Sequence, residues 1–389
     1  MNIAFRTDSR GMKKNILITG GAGFIGSRLA NSLITNGHRV RVLDNLSPQI
    51  HGAEPESSPL FRSLHPDVEF FRGSVTSRGD LMRALPGMDT VVHLAAETGT
   101  GQSMYAIQHY SDVNVGGTAL LLDLIANEQL PISKIVVASS RAVYGEGKYL
   151  CSTHGYVYPA SRSAPDMSKG DFTVHCPLCG IAAEMVPTDE ETPVRPASVY
   201  GITKLTQEQM VLTVGKALGI SALAFRYQNV YGPGQSLSNP YTGILSIFST
   251  RIRNGSGINI FEDGKESRDF VYIDDVIAAT VKGIEHEPPL VDMFNVGAGV
   301  ATDVLTIANT LQTLLGVTVP IEISGQFRLG DIRHNVADLA KIRATLGFEP
   351  TVSIDEGLRR FVAWVKGEQA QVDRYEESLR ELRAKGLFK

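Results

Sequence analysis

Asn15-Ile-Leu-Ile-Thr-Gly20-Gly-Ala-Gly23-Phe24-Ile25-Gly26 decides the fold of this chain. A short β-rich run, Asn15–Thr19, enters a glycine turn directly, and a helical pattern over Phe24–Asn36 leaves it. Gly20 fits the tight turn, Gly23 lets backbone approach a pyrophosphate, and Gly26 lets helix pack closely on sheet. The helix start then presents amide donors and the positive end of a dipole to phosphate. A dinucleotide site of this kind needs an acidic residue about 20 residues on, at the end of the second strand. Asp44 stands there, after Val40–Leu43. Its carboxylate accepts from both adenosine ribose hydroxyls and repels a 2′-phosphate, which favours NAD over NADP.

Outward from this motif, apolar runs at Val68–Phe71, Thr90–His93 and Lys134–Ala138 alternate with helical patterns at Tyr105–Asn127 and Val199–Leu218. Such alternation predicts an α/β fold built on a doubly wound parallel (Rossmann) sheet. After Arg226 the pattern loosens into Pro/Gly-rich stretches such as Tyr231-Gly-Pro-Gly-Gln235. The expected division is an NAD-binding domain over 13–230 and a smaller substrate-binding region over 231–365. Some segments of the latter return to the first domain. A solvated helical tail over 366–389 completes the expectation. With 389 residues, 43% hydrophobic and 20% charged, the chain has material for a large core. The net charge of -4 provides no global positive field, so nucleic acid is not an expected partner and an anionic ligand must meet local arginines. No run of 18 apolar residues occurs, and the start, MNIAFRTDSRGMKK, lacks the apolar core of a signal peptide. The expectation is a cytoplasmic protein with no membrane partner. Three cysteines, an odd number, argue against a disulfide framework.

The second chemical motif is Tyr200-Gly-Ile-Thr-Lys204, whose spacing puts both side chains on one face of a helix. For a tyrosine to act as a base near neutrality its pKa must fall from about 10 to about 7, roughly 4 kcal/mol. A nearby ammonium and the cationic nicotinamide of NAD+ both favour the phenolate. Together with the glycine motif, Leu94-Ala95-Ala96, Asn114, Ser139-Ser140-Arg-Ala-Val-Tyr-Gly145 and Arg226-Tyr-Gln-Asn-Val-Tyr-Gly-Pro233, this pair resembles the nucleotide-sugar epimerase/dehydratase family of extended short-chain dehydrogenases/reductases. The resemblance covers roughly residues 13 to 365. It implies catalytic roles for Tyr200, Lys204 and Ser140, with Ser140 bonded to the sugar oxygen being oxidised. It also implies NAD contacts from Gly20, Gly23, Phe24, Ile25, Gly26, Asp44, Asn45, Ser74, Val75, Leu94, Ala95, Ala96, Asn114, Ser139, Tyr200, Lys204 and Tyr227. For the nucleotide-diphosphate sugar it implies Ser140, Asn229, Arg268 and Arg328, with Phe261 against the nucleobase or, alternatively, in the core. Forked guanidinium donors suit the diphosphate. Relatives of this kind commonly form a homodimer.

Reactions in this family diverge after a shared first oxidation. Sugar 4,6-dehydratases carry Asp-Glu directly after the catalytic Ser or Thr, whereas here those positions are Arg141 and Ala142. Thr188-Asp-Glu190 lies elsewhere and reads as a decoy. The glutamate of decarboxylating relatives is missing, and all three cysteines lie outside the usual catalytic positions. What remains suffices for 4-epimerisation, with hydride removed from C4 and returned to the other face of a 4-keto sugar. A net oxidoreductase of another class stays open. The long connection 146–190, including Cys151, His154 and Cys176-Pro-Leu-Cys179-Gly, resembles that of the dTDP-L-rhamnose 4-epimerases. UDP-glucose or UDP-glucuronate 4-epimerases are the rival. Cys-x-x-His and Cys-x-x-Cys form two knuckles on either side of residues 155–175, so Cys151, His154, Cys176 and Cys179 are expected to hold a structural zinc. His175 is the alternative histidine.

Overall fold

Seven strands form the central sheet: β1 (Asn15–Thr19), β2 (Arg39–Asp44), β3 (Glu69–Arg72), β4 (Thr90–His93), β5 (Lys134–Ser140), β6 (Ser221–Tyr227) and β7 (Val291–Val296). All neighbouring pairs are parallel, and the order across the sheet is 3-2-1-4-5-6-7. A computed structural model describes residues 13–241 and 243–389. Apart from Lys13 and Lys14, the amino-terminal stretch inspected for a signal-peptide core lies outside them.

Strand composition explains why the sheet is covered on both faces. Ile16, Ile18, Val40, Val42 and Val136 face one apolar layer, while Leu17, Leu43, Val91, Ile135 and Val137 face the other. Burial on both faces accounts for near-continuous apolar runs instead of polar alternation. Strand order reverses between β1 and β4, which opens a crevice at the carboxyl ends of the strands. Both the glycine turn after β1 and Ser140 at the end of β5 border that crevice.

The carboxyl half weaves back into this layer: it contributes β7 and the helix Ile273–Glu285, which packs on Phe24–Thr35. The region predicted as one helix over Tyr105–Asn127 is interrupted. A short helix, Ile107–Tyr110, passes into a π-helical turn, Ser111–Gly116, before Gly117–Asn127. Gly117 allows close approach there, since a Cβ would meet Val75 Cγ2 at 2.7 Å.

Two further pieces matter for the site. Within 146–190, strands Tyr149–Cys151, Gly155–Val157 and Glu184–Met185 form a small antiparallel sheet. The final helix, Tyr375–Ala384, corrects the expectation of a solvated tail. Tyr375, Leu379, Leu382 and Phe388 are buried and pack with Tyr105, Ile247 and Phe261. Its polar face is solvated, but its apolar stripe had no visible partner until folding supplied one. Among the described residues, no helix is long and apolar enough to cross a membrane.

Candidate active site

The glycine turn is built as its residues require. Gly20 has φ +70, and a Cβ on it would lie 2.7 Å from Ala95 N. On Gly26 a Cβ would lie 2.4 Å from Gly20 O, so helix and turn close only without a side chain. At Gly23 the nearest atom would be Gly20 O at 3.3 Å. Its bareness is therefore needed less by the protein than by a ligand approaching the backbone, and the cradle fits a dinucleotide pyrophosphate. Asp44 is buried, accepting from Ala22 N at 3.0 Å and Leu46 N at 2.8 Å. These bonds fix the carboxylate while leaving lone pairs for ribose hydroxyls. Asn45 is exposed and caps the next turn through Ser47 N. Ser74 is half-buried, whereas Val75 is buried against Gly117, so Ser74 is the more accessible of that pair. Leu94, Ala95 and Ala96 follow β4 beside Gly20.

Ser198 caps the helix Val199–Leu218 by accepting from Gly201 N, and Ser103 Oγ accepts from Tyr200 N at 3.0 Å. Tyr200 thus starts the helix with its phenol close enough to the Ser140 hydroxyl to be influenced by it. Burial pushes the Tyr200 phenol up, and the Ser140 hydroxyl and the Arg141 charge oppose this. In the chain alone, then, Tyr200 is not activated to a base, and Lys204 supplies no visible help. Burial instead pushes the Lys204 ammonium down to about 7. Its Nζ donates to Gln207 Oε1 at 2.9 Å, Gln207 donates to Thr118 Oγ1 at 2.7 Å, and His93 bonds both Thr118 and Thr19. Sequence reading missed this buried polar chain. Its one local signal is Gln207, three residues after Lys204 on the same helix.

Three of the expected cofactor contacts have side chains engaged within the protein. Asn114 is fully buried, donating to Thr203 Oγ1 and Glu97 O and accepting from Glu97 N. Both amide N–H donors are thus spent within the protein. Ser139 donates to Glu208, which forms a buried ion pair with Arg226. Tyr227 points its hydroxyl to Thr280 at 2.7 Å inside the core. Strand alternation turns Ser139 to the face opposite Ser140, together with its cross-strand partner Arg226, whereas Tyr227 pairs with Ser140 on the same face and is held in the core by Thr280.

A cavity of about 200 Å³ lies beyond Ser140, lined by Arg141, Asn229, Phe261, Arg268, Arg328 and Asp331 among others. The expected substrate residues therefore converge. Asn229 Oδ1 and Arg328 Nε are buried without a protein partner. Arg268 is less available than expected, because it donates to Ser267 O, Arg333 O, Ile332 O and Asp331 Oδ1. Arg328 donates to the other Asp331 oxygen at 2.9 Å. Burial acts to raise the Asp331 carboxyl, but Arg328 and Arg268 hold it well below the usual carboxylate range. Phe261 has both weighed properties: it lines the cavity, and it packs edge-on to Phe388 at 4.9 Å. Tyr375, Leu379 and Leu382 of the final helix complete the wall.

The insertion backs this cavity. Arg162 bonds Glu146, Glu262 and the Asp331 carbonyl, while Glu146 also accepts from Arg333 N at 2.9 Å. Cys151, His154, Cys176 and Cys179 offer ligand atoms all within 4.8 Å of one another. Cys151 Sγ lies 3.7 Å from both His154 Nδ1 and Cys179 Sγ, and Cys176 Sγ lies 3.6 Å from His154 Nδ1. A tetrahedron with arms of about 2.3 Å has edges of about 3.8 Å, which these separations match. His175 is engaged elsewhere, with Gly180 O and Asp171. Glu190 of the decoy segment accepts from Asn295 N, and Thr188 bridges Ala337, so that segment ties the insertion to the carboxyl half.

Fold, glycine cradle and Ser/Tyr/Lys group define a dinucleotide-dependent enzyme of the short-chain dehydrogenase/reductase type. The match to the family described as "NAD dependent epimerase/dehydratase family" spans residues 16–164 and 176–297, and the chain belongs to that family. It is 38% identical to a dTDP-L-rhamnose 4-epimerase of Burkholderia thailandensis, over 91% of this chain and 96% of that one. Identity to a UDP-glucose 4-epimerase of Mycolicibacterium smegmatis is 30%, over 90% and 98% respectively. The crystal structure of a Thermotoga maritima UDP-glucose 4-epimerase with UDP-glucose matches with TM-score 0.72 and 30% identity, covering 91% of this chain and 99% of that one. A Bacillus cereus UDP-glucuronic acid 4-epimerase with UDP-glucuronic acid and NAD matches with TM-score 0.73 and 26% identity, at 91% and 99% coverage. The chain is a nucleotide-sugar 4-epimerase homologue on these grounds.

Proposed function

We propose that the protein interconverts dTDP-L-rhamnose and dTDP-6-deoxy-L-talose by inverting C4, as a cytoplasmic enzyme of polysaccharide biosynthesis. The observation that carries this reading is Ser140 and Tyr200 meeting at the crevice with Arg141 and Ala142, not an acid and base for dehydration, directly after the serine. Likeness to the Burkholderia thailandensis enzyme supports the sugar. Likeness to UDP-sugar 4-epimerases keeps UDP-glucose and UDP-glucuronate as the second reading.

The glycine turn and Asp44 hold NAD, which when bound supplies a reversible hydride acceptor and a positive charge. Tyr200 takes the proton of the sugar 4-hydroxyl and later returns it, while Ser140 orients that oxygen. Lys204, on the same helix face, would add its charge near the phenol with NAD bound. Asn229 and the arginines hold the diphosphate while the sugar turns. Cys151, His154, Cys176 and Cys179 hold a zinc that takes no part in the chemistry, since four protein ligands leave no open position. It stiffens an insertion whose own core is small. Ile107 and Ile202, both exposed on adjoining helices, support a homodimer through that face.

The test is to incubate the protein with dTDP- and UDP-sugars and follow C4 configuration by NMR. Equilibration of the two dTDP-6-deoxy sugars without net NADH is the expected result. Stoichiometric NADH release would instead establish a net oxidoreductase, and turnover confined to UDP-sugars would establish the second reading.

A further inference from the structure

Arg141 stands out among the groups lining the substrate cavity because its guanidinium donors are left unspent by the described residues. Arg268 spends its donors on three carbonyls and Asp331, and Arg328 is paired with Asp331. Arg141 has no hydrogen-bond or ion-pair partner among the described residues, although it is half-buried on the cavity wall. Its guanidinium thus presents unspent donors to the cavity, and a half-buried cation of this kind gains from an anionic ligand that completes it. Burial, followed by the charge of Arg268, pushes it down to about 10, with Asp331 the first charge to oppose this.

Charge counting points the same way. The nearby acids are committed: Glu146 to Arg162, and Glu262 and Asp263 to Arg162 and Arg333. Burial, then the Glu262 charge, pushes Glu266 on the cavity wall up to about 7, so it opposes the arginines less than an ordinary carboxylate does. Arg141, Arg268 and Arg328 against Asp331 leave two positive charges. A diphosphate diester carries two negative ones. Without Arg141 the cavity would be one charge short.

Position selects which phosphate. Arg328 sits over Phe261, at the end of the cavity closed by the final helix. Arg141 follows Ser140 directly, at the end where the sugar must react.

We propose that Arg141 is the anchor for the sugar-side phosphate of the substrate and so positions the reacting carbon against Ser140 and Tyr200. This rests on the reading that the cavity takes a nucleoside diphosphate sugar. Balanced in this way, the diphosphate is gripped at both ends, and Arg268 serves chiefly to shape the 331–333 segment.

The test is calorimetric titration of wild type, Arg141→Met and Arg141→Lys with dTDP, dTMP, UDP and UMP, using NAD affinity to verify the fold. Arg141→Met should weaken diphosphate binding roughly 10- to 100-fold, the worth of one charged hydrogen bond, and leave monophosphate binding within about twofold. Arg141→Lys should recover part of the loss. In turnover, KM should rise more than kcat falls. Equal losses for di- and monophosphates, or dTDP and UDP binding unchanged in Arg141→Met, would overturn the proposal, as would a wild type that binds NAD but neither diphosphate. A wild type that binds diphosphates through Arg141 yet epimerises no sugar would overturn the proposed function alone.

Discussion

Asn114 donates to Thr203 Oγ1 at 3.0 Å, which bolts the π-helical turn to the helix carrying Tyr200 and Lys204. Thr203 lies between the two reactive side chains, and Asn114 simultaneously holds both backbone groups of Glu97. Precision at the site is thus set by a residue that touches neither reacting group. Asn114→Ala should leave Glu97 N and Thr203 Oγ1 without their partner in a buried place and cost about 1–3 kcal/mol of stability. Denaturant unfolding checks this, and a loss within about 0.5 kcal/mol, the usual size of a surface effect, would contradict the clamp.

Tyr200→Phe removes the only phenol oxygen able to carry the proton while keeping the ring. Epimerisation should fall by about 10²–10⁴-fold with NAD binding nearly unchanged. Retention of more than about a tenth of the wild-type rate would remove Tyr200 as the base. Ser140→Ala, which deletes an orienting bond and no proton carrier, should be milder.

Lys204 gives a pH signature. Its pKa is about 7 in the folded chain and about 10.4 when unfolded, so between those values the unfolded state binds the extra proton. Native stability contributed by this group therefore rises with pH across that window and is lowest below about 7. In NAD-free protein, Lys204→Met should gain most over wild type at pH 6.5, and the advantage should shrink by on the order of 2 kcal/mol by pH 9.5. Urea unfolding at both pH values tests the sign; a growing advantage would mean that Lys204 is stabilised as the cation.

Asp44→Ala deletes the ribose acceptor and the charge facing a 2′-phosphate. Preference for NAD over NADP should narrow substantially, as measured by the ratio of their dissociation constants. An unchanged ratio would place cofactor discrimination elsewhere. Because Asp44 also accepts from Ala22 N and Leu46 N, a modest loss of stability should accompany the change.

Elemental analysis of protein prepared without chelator should find about one zinc per chain, and none in Cys176→Ser/Cys179→Ser. The double variant should also loosen the insertion that supports Glu262 and Asp331 through Arg162, with substrate affinity lost before NAD affinity. A metal-free, fully active wild type would rule the zinc out.

Local rules made much of this protein legible. The glycine spacing, the Tyr200/Lys204 pair and each Cys/His knuckle place chemistry within a turn or one helix face, where backbone geometry alone relates the residues. Strand runs likewise announced the sheet, because strands buried on both faces must be apolar throughout. Tertiary structure decided what local spacing cannot: which groups spend their bonding capacity within the protein. Asn114, Ser139 and Tyr227 resembled cofactor contacts, yet their partners Thr203, Glu208 and Thr280 lie far along the chain. Arg268 and Arg141 look equally free as letters, and only the folded carbonyls of residues 267, 332 and 333 separate a satisfied guanidinium from an available one. The same holds for the final helix, whose charged sequence concealed an apolar stripe until Tyr105, Ile247 and Phe261 formed a surface to bury it. Hydrogen-bond satisfaction and burial belong to the whole fold, because each depends on a partner that the neighbouring sequence does not contain.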